Sequence, residues 1–148
     1  MRYLLIDRIG EWMANERITG VKNVAMSEDF LEFHFPGNPV MPGVLLIESF
    51  CQLAGWLEAA SSDFKNWFLI TKVRQSKFYG FALPGDQVDL KLERLPDPEA
   101  EKRVYSGTGK VGDKRKISLE FEGEVIPLEG IEDVIEQRRF FKVLTRGE

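Results

Sequence analysis

Val44-Leu45-Leu46-Ile47-Glu48-Ser49-Phe50-Cys51-Gln52-Leu53-Ala54-Gly55-Trp56-Leu57-Glu58-Ala59-Ala60 is where the helical signal of this 148-residue chain is concentrated. Positions 44–47, 50, 51, 53, 54, 56, 57, 59 and 60 are apolar and occupy most of the helical circumference. A helix apolar nearly all round is expected to be buried. The exceptions Glu48, Gln52 and Gly55, spaced by four and three, form one polar and small stripe along a single face.

Around this helix the signals are those of strands. Gln87–Glu93 and Ile117–Glu122 alternate apolar and polar residues, the period of a half-buried strand. A Gly112-Asp113 turn joins the second of these to a strand near Arg103–Val111 as a hairpin. Pro96-Asp97-Pro98 breaks the chain before that hairpin. Tyr3–Trp12, Arg17–Val24 and Trp67–Val73 read as further strands. Ile131–Leu144 reads as a final helix, with Ile131, Val134, Ile135, Phe141 and Leu144 at helical spacing. Its acidic residues come first and its basic ones last, as the helix dipole favours. Several antiparallel strands and one long buried helix predict an α+β domain with the helix lying against a curved sheet.

Length and composition bound the rest. A chain of 148 residues corresponds to one domain and is long enough for a real core. With 43% hydrophobic and 30% charged residues it is not a disordered chain. The net charge of −4 argues against nucleic acid as a partner. The single cysteine, Cys51, excludes an intrachain disulfide framework and reads as a core residue. Neither a membrane span nor a signal segment is apparent, so a cytoplasmic location is expected. One histidine and one cysteine do not assemble a metal shell, and no glycine-rich loop of the nucleotide-binding kind precedes a helix, so no cofactor is expected.

The chemistry is concentrated just before the helix, in His34-Phe35-Pro36-Gly37-Asn38-Pro39-Val40-Met41-Pro42-Gly43. Three prolines and two glycines make this a stiff loop. It runs into a helix N-terminus, whose first N–H groups lack internal partners and favour negative charge. Gly43 sits there and reads either as an N-terminal turn residue or as a donor to a developing oxyanion, its missing side chain admitting a ligand oxygen. Glu48 follows on the second turn, where Ile47, Phe50 and Cys51 favour the protonated acid. His34 is the only imidazole available for base chemistry near neutral pH. A base, an oxyanion donor and an acid suit elimination of water β to a carbonyl.

The string His-Phe-Pro-Gly-x-Pro-x-x-Pro-Gly-Val-Leu, followed by Glu48 and Gln52, resembles the 3-hydroxyacyl-acyl carrier protein dehydratases of the FabA/FabZ type. Leu4–Ile9, Val21–Val24, Lys77-Phe78 and Pro84-Gly85-Asp86 extend the likeness over roughly residues 3 to 125. The resemblance implies a hot-dog fold over residues 1–128, with an antiparallel sheet wrapped around the central helix, while residues 129–148 form a C-terminal helical extension of the same domain that is extra to the family pattern. It implies His34 as base, Glu48 as acid supplied from the partner chain, and Gly43 as the thioester-binding N–H. A glutamate at the acid position resembles the branch that mainly dehydrates. The implied partners are acyl carrier protein, whose phosphopantetheine arm carries the substrate, and a second copy in a homodimer, with a trimer of dimers as the larger form.

Gln52 reads either as a hydrogen-bond partner of the loop backbone or as a substrate contact. Phe68, Phe78 and Phe81 are candidates for the lining of an acyl tunnel. Lys72, Arg74, Lys77, Arg138 and Arg139 are candidates for carrier docking, although the last two read by default as a solvated helix end. Two other readings stand beside the dehydratase: a hot-dog acyl thioesterase and a non-catalytic acyl-binding subunit.

Overall fold

A computed structural model of the chain describes residues 4–32, 34, 37–96 and 102–147. Six strands form one antiparallel sheet: β1 (Arg8–Met13), β2 (Arg17–Asn23), β3 (Asn66–Phe78), β4 (Gln87–Leu95), β5 (Arg103–Val111) and β6 (Lys114–Pro127). Their order is β1-β2-β4-β5-β6-β3, so β3 leaves its sequence neighbours and forms an edge beside β6. Helix α1 (Gly43–Ser61) supplies the crossover and lies against the sheet. This is the α+β hot-dog arrangement.

The alternating strands behave as their pattern dictates. Val88, Leu90 and Leu92 of β4 and Ile117, Leu119 and Phe121 of β6 point inward and are buried. They meet Leu46, Phe50, Leu53 and Leu57 of α1 in one continuous core. The β5–β6 hairpin turns at Gly112, which sits at φ 59° in the left-handed region that glycine tolerates. A buried polar cluster interrupts this core: the Tyr105 hydroxyl of β5 donates to Glu58 of α1, and Arg103 lies 3.3 Å from the same carboxylate. Burial, and then the charge of Glu58, push the Tyr105 hydroxyl far above its ordinary range.

Several expectations are corrected. The strand expected over Tyr3–Trp12 begins only at Arg8, and Tyr3 lies outside the described residues. Leu5 and Ile6 are buried instead as an irregular segment, pinned where the Leu5 N–H donates to the Gln52 side chain at 3.0 Å. β3 runs on past Val73 to Phe78, because backbone pairing to β6 continues where the apolar pattern stops. β4 ends at Leu95, but Asp97 and Pro98 of the expected break lie outside the described residues. α1 is not apolar toward protein all round: Val44 is 71% exposed and Glu48 is exposed as well. By length and apolarity α1 has the measure of a membrane span, yet its buried face is the core of the sheet.

The C-terminal helix α2 (Val134–Thr145) follows a short 3-10 turn, Leu128–Gly130, so Ile131 precedes it. Asp133 caps it, accepting from the N–H groups of Ile135 (2.9 Å) and Glu136 (3.3 Å). Its buried face consists of Gln137, Phe141, Leu144 and Thr145, whereas Ile131 and Ile135 are exposed. Phe141 makes ring contacts with Trp12, Trp56 and Phe64, fastening α2 to β1 and to the end of α1.

Candidate active site

His34 follows a 3-10 turn (Asp29–Glu32), with its N–H donating to the Phe30 carbonyl at 3.2 Å. Phe35 and Pro36 of the motif lie outside the described residues. The loop closes on itself: the His34 carbonyl accepts from the Val40 N–H (3.4 Å), and the Val40 carbonyl lies 3.1 Å from His34 Nδ1. A carbonyl only accepts, so Nδ1 carries the proton in this contact. In the neutral ring Nε2 is then the basic nitrogen. The Met41 N–H donates to the Ala82 carbonyl at 2.9 Å, which ties the end of the loop to the segment after β3.

α1 starts at Gly43 with Pro42 as its N-cap and no side-chain cap. The Leu45 and Leu46 N–H groups return to the Pro42 carbonyl (3.0 and 3.3 Å). The Gly43 N–H is thus the kind of outward-pointing donor that a helix N-terminus offers an anion. The space left by its missing side chain is filled differently from the expectation. A Cβ there would lie 2.6 Å from the Phe78 ring, so glycine seats an aromatic wall of the groove rather than a ligand oxygen.

His34, Gly43, Val44, Ile47, Phe78 and Phe81 line an open groove of about 720 Å³. Glu48 faces a separate cavity of about 310 Å³ with Gln52, Trp56 and Trp67. Within one chain, therefore, the expected base and acid sit on neighbouring stripes of α1 and do not share a cavity. Glu48, expected among apolar neighbours, is exposed in the single chain. Gln52 does not bond the His34–Gly43 loop in any contact between described residues. Its Nε2 donates to Glu48 Oε1 (3.2 Å) while its Oε1 holds Leu5, so it orients the Glu48 carboxylate.

The aromatic candidates divide. Phe78 and Phe81 line the groove, and Phe81 is 66% exposed. Phe68 is a core ring, packed against Tyr105 and Phe121 and lining neither cavity. Cys51 is buried, and burial followed by the nearby Glu48 charge pushes its thiol up to about 12, leaving it inert.

Of the candidate docking cations, Arg74 is ion-paired to Glu120 and Glu122, and Arg138 to Asp63. Arg139 pairs with Glu136, and Lys72 is exposed on β3. Lys77 alone among them borders the groove, 5.0 Å over the Tyr79 ring. Sequence reasoning missed its companion Arg115, 4.1 Å over the same ring from the paired strand β6. It also missed that α2 reaches the Glu48 cavity through Gln137 and Phe140. Neither is signalled locally, since each depends on elements that meet only in the fold. Among the described residues no three His, Cys, Asp or Glu side chains are grouped to hold a metal.

Comparison with known proteins places this arrangement. Among solved structures, the protein smu.793 of Streptococcus mutans bound to acetyl-CoA superposes with a TM-score of 0.65 at 12% identity, covering 86% of this chain and 94% of that one. A fluoroacetyl-CoA-specific thioesterase, FlK, gives 0.64 at 17% identity, covering 86% and 98%. Both likenesses concern the fold.

Among curated proteins, a 3-hydroxyacyl-[acyl-carrier-protein] dehydratase of Nitratidesulfovibrio vulgaris is 44% identical over 96 residues, 63% of this chain and 62% of that protein. The chain thus spans about three-fifths of that relative's length. The dehydratase of Levilactobacillus brevis is 39% identical over 75% of each chain. That of Koribacter versatilis is 35% identical, covering 84% of this chain and 80% of the relative. The FabA-like domain family matches residues 1–120, which hold the whole loop, α1 and the first five strands. The chain belongs to the FabA-like family.

Proposed function

We propose that this protein is a cofactor-independent lyase that removes water from 3-hydroxyacyl thioesters on acyl carrier protein to give trans-2-enoyl thioesters in fatty-acid or related acyl-chain synthesis, in the cytoplasm. The observation that carries the reading is the contact of His34 Nδ1 with the Val40 carbonyl, in a groove that also contains the N-terminus of α1. It makes Nε2 a base beside an oxyanion donor. Nε2 takes the proton from the α-carbon, and the Gly43 N–H receives the charge developing on the thioester oxygen. Glu48, steered by Gln52, gives its proton to the departing hydroxyl, which leaves as water. Proton return from imidazolium to carboxylate, through solvent, resets the site.

Because His34 and Glu48 open onto different cavities, the working site pairs His34 of one copy with Glu48 of another, which makes the active unit a homodimer. The unpaired edge of β3 supports such an assembly, and a trimer of dimers is its larger form. Carrier docking falls to Lys77 and Arg115 at the groove, since Arg74, Arg138 and Arg139 already have acidic partners.

The test is dehydration of a carrier-bound 3-hydroxyacyl substrate, followed by absorbance of the conjugated enoyl thioester. His34→Ala and Glu48→Gln each lower the rate by roughly 10²–10⁴-fold. Mixing the two variants restores part of it if the residues act across chains. Full rate in His34→Ala would refute the mechanism, and release of free thiol would favour the thioesterase reading.

A further inference from the structure

The cavity beside Glu48 has a wall that the family match does not include. The match ends at residue 120, whereas α2 contributes Gln137 and Phe140 to that cavity. The helix is firmly placed: Phe140 meets the Trp56 ring at 5.7 Å, Asp133 caps the N-terminus, and Arg138 is bound to Asp63 at 2.9 Å. Glu48, Gln52 and Trp56 lie on successive turns of α1, about 6 Å apart along the axis. The cavity therefore leads from the acid along α1 to the place where Trp56, Trp67 and α2 converge.

Gln137 is the unusual member of this wall. It is only 7% exposed. Its backbone N–H is used by Asp133, but no hydrogen bond joins its side-chain amide to another described residue. The cavity around it holds the carboxylates of Glu48 and Glu132, the Gln52 amide and the indole N–H groups of Trp56 and Trp67, none of them joined to the Gln137 amide by a hydrogen bond. While the cavity is wet, water satisfies it. An alkyl tail that displaces this water leaves a buried amide unpaired, whereas a tail with an oxygen at that point restores the bond.

We propose that Gln137 is a specificity-determining residue: its amide hydrogen-bonds an oxygen on the acyl chain, so that 3-hydroxyacyl substrates with a hydroxyl or keto group in the tail are preferred to plain alkyl tails of equal length. This rests on the dehydratase reading, because Glu48 marks the cavity as the route of the tail.

The experiment compares three sets of thioesters with the full-length protein. These are a four-carbon 3-hydroxyacyl substrate too short to reach α2, a plain ten-carbon one, and ten-carbon ones with one further hydroxyl placed along carbons six to nine. The wild type prefers the best hydroxylated tail over the plain ten-carbon tail by about tenfold in kcat/KM, equivalent to about 1.4 kcal/mol. Gln137→Met, close in shape but without the amide, abolishes or inverts that preference through KM and leaves the four-carbon rate unchanged. Gln137→Leu repeats the result if the effect belongs to the amide and not to one replacement. Equal rates on plain and hydroxylated tails in the wild type, or an unaltered ratio in both variants, would overturn the inference while leaving the dehydratase reading intact. No turnover of the four-carbon substrate by folded wild type would overturn that reading and this inference together.

Discussion

Gly55→Ala sets two effects of opposite sign against each other. In a solvent-facing helix interior, replacing glycine by alanine stabilises by about 0.8–1.0 kcal/mol. Gly55 is buried in α1, and a Cβ there would fall 2.3 Å from both Cε2 and Cζ2 of Trp67. Ordinary contact begins near 3.4 Å, so the indole must retreat by about 1 Å. It has little freedom to do so: Trp56 stands edge-on to it at 5.2 Å, and its backbone pairs with Ile126. Overpacking of this kind costs about 1–3 kcal/mol. The clash outweighs the propensity gain, for a net destabilisation of roughly 1 kcal/mol and a fall in Tm of about 2–4 °C. Calorimetry reads the Tm, and the tryptophan fluorescence of the native state reports the moved ring. A Tm raised by 2 °C or more would refute the reasoning, since it would mean that Trp67 yields freely and helix propensity decides.

Two further predictions concern stability. Cys51 holds its proton up to about 12 in the fold against an ordinary 9.0, so the folded state binds protons more tightly. Stability is fully present below pH 9 and declines as pH rises toward 12, by up to about 4 kcal/mol at 1.36 kcal/mol per unit. Tyr105, also held protonated by burial, adds to the loss above pH 10. Urea unfolding at pH 8, 9.5 and 10.5 should show a shallower decline in Cys51→Ala than in the wild type, and parallel slopes would contradict the assignment. Asp133→Ala removes the α2 cap and should cost about 1 kcal/mol, measured by the same unfolding, with an unchanged midpoint as the contrary result.

What the sequence revealed follows from how local each cause is. Alternation in β4 and β6, the Gly112 turn and the apolar run of α1 are set within a few residues, and those elements lie where the pattern predicts. The apolar pattern understates β3, because Lys72–Lys77 are exposed and it is backbone pairing to β6, far along the chain, that keeps them in a strand. Ile131, which precedes α2, and Ile135 within it fit a helical period but are exposed, because the helix turns Phe141 and Leu144 to the core, Phe141 among Trp12, Trp56 and Phe64. For the site, the loop motif made His34, Gly43 and Glu48 conspicuous. That Glu48 is exposed, and that Phe78 takes the space of Gly43's missing side chain, depends on which face of α1 the sheet covers, a fact no window of residues contains.

The place of β3 at the edge also governs how the chain comes together during synthesis. β2 waits for β4 across α1 and β3, from Asn23 to Gln87, and β3 in turn waits for β6, so that Phe78 pairs only once Ile117 is made. Roughly 40 residues separate those two, about 2–8 s of translation at typical rates. Throughout that interval a strand-forming segment containing Leu69, Ile70 and Val73 has left the ribosome without its partner. Lys72, Arg74 and Lys77 punctuate it with charges of one sign, the pattern that keeps such segments from pairing with one another on adjacent nascent chains. The same three cations that invite a functional reading thus act first as gatekeepers of solubility, before Glu120 and Glu122 arrive to claim Arg74.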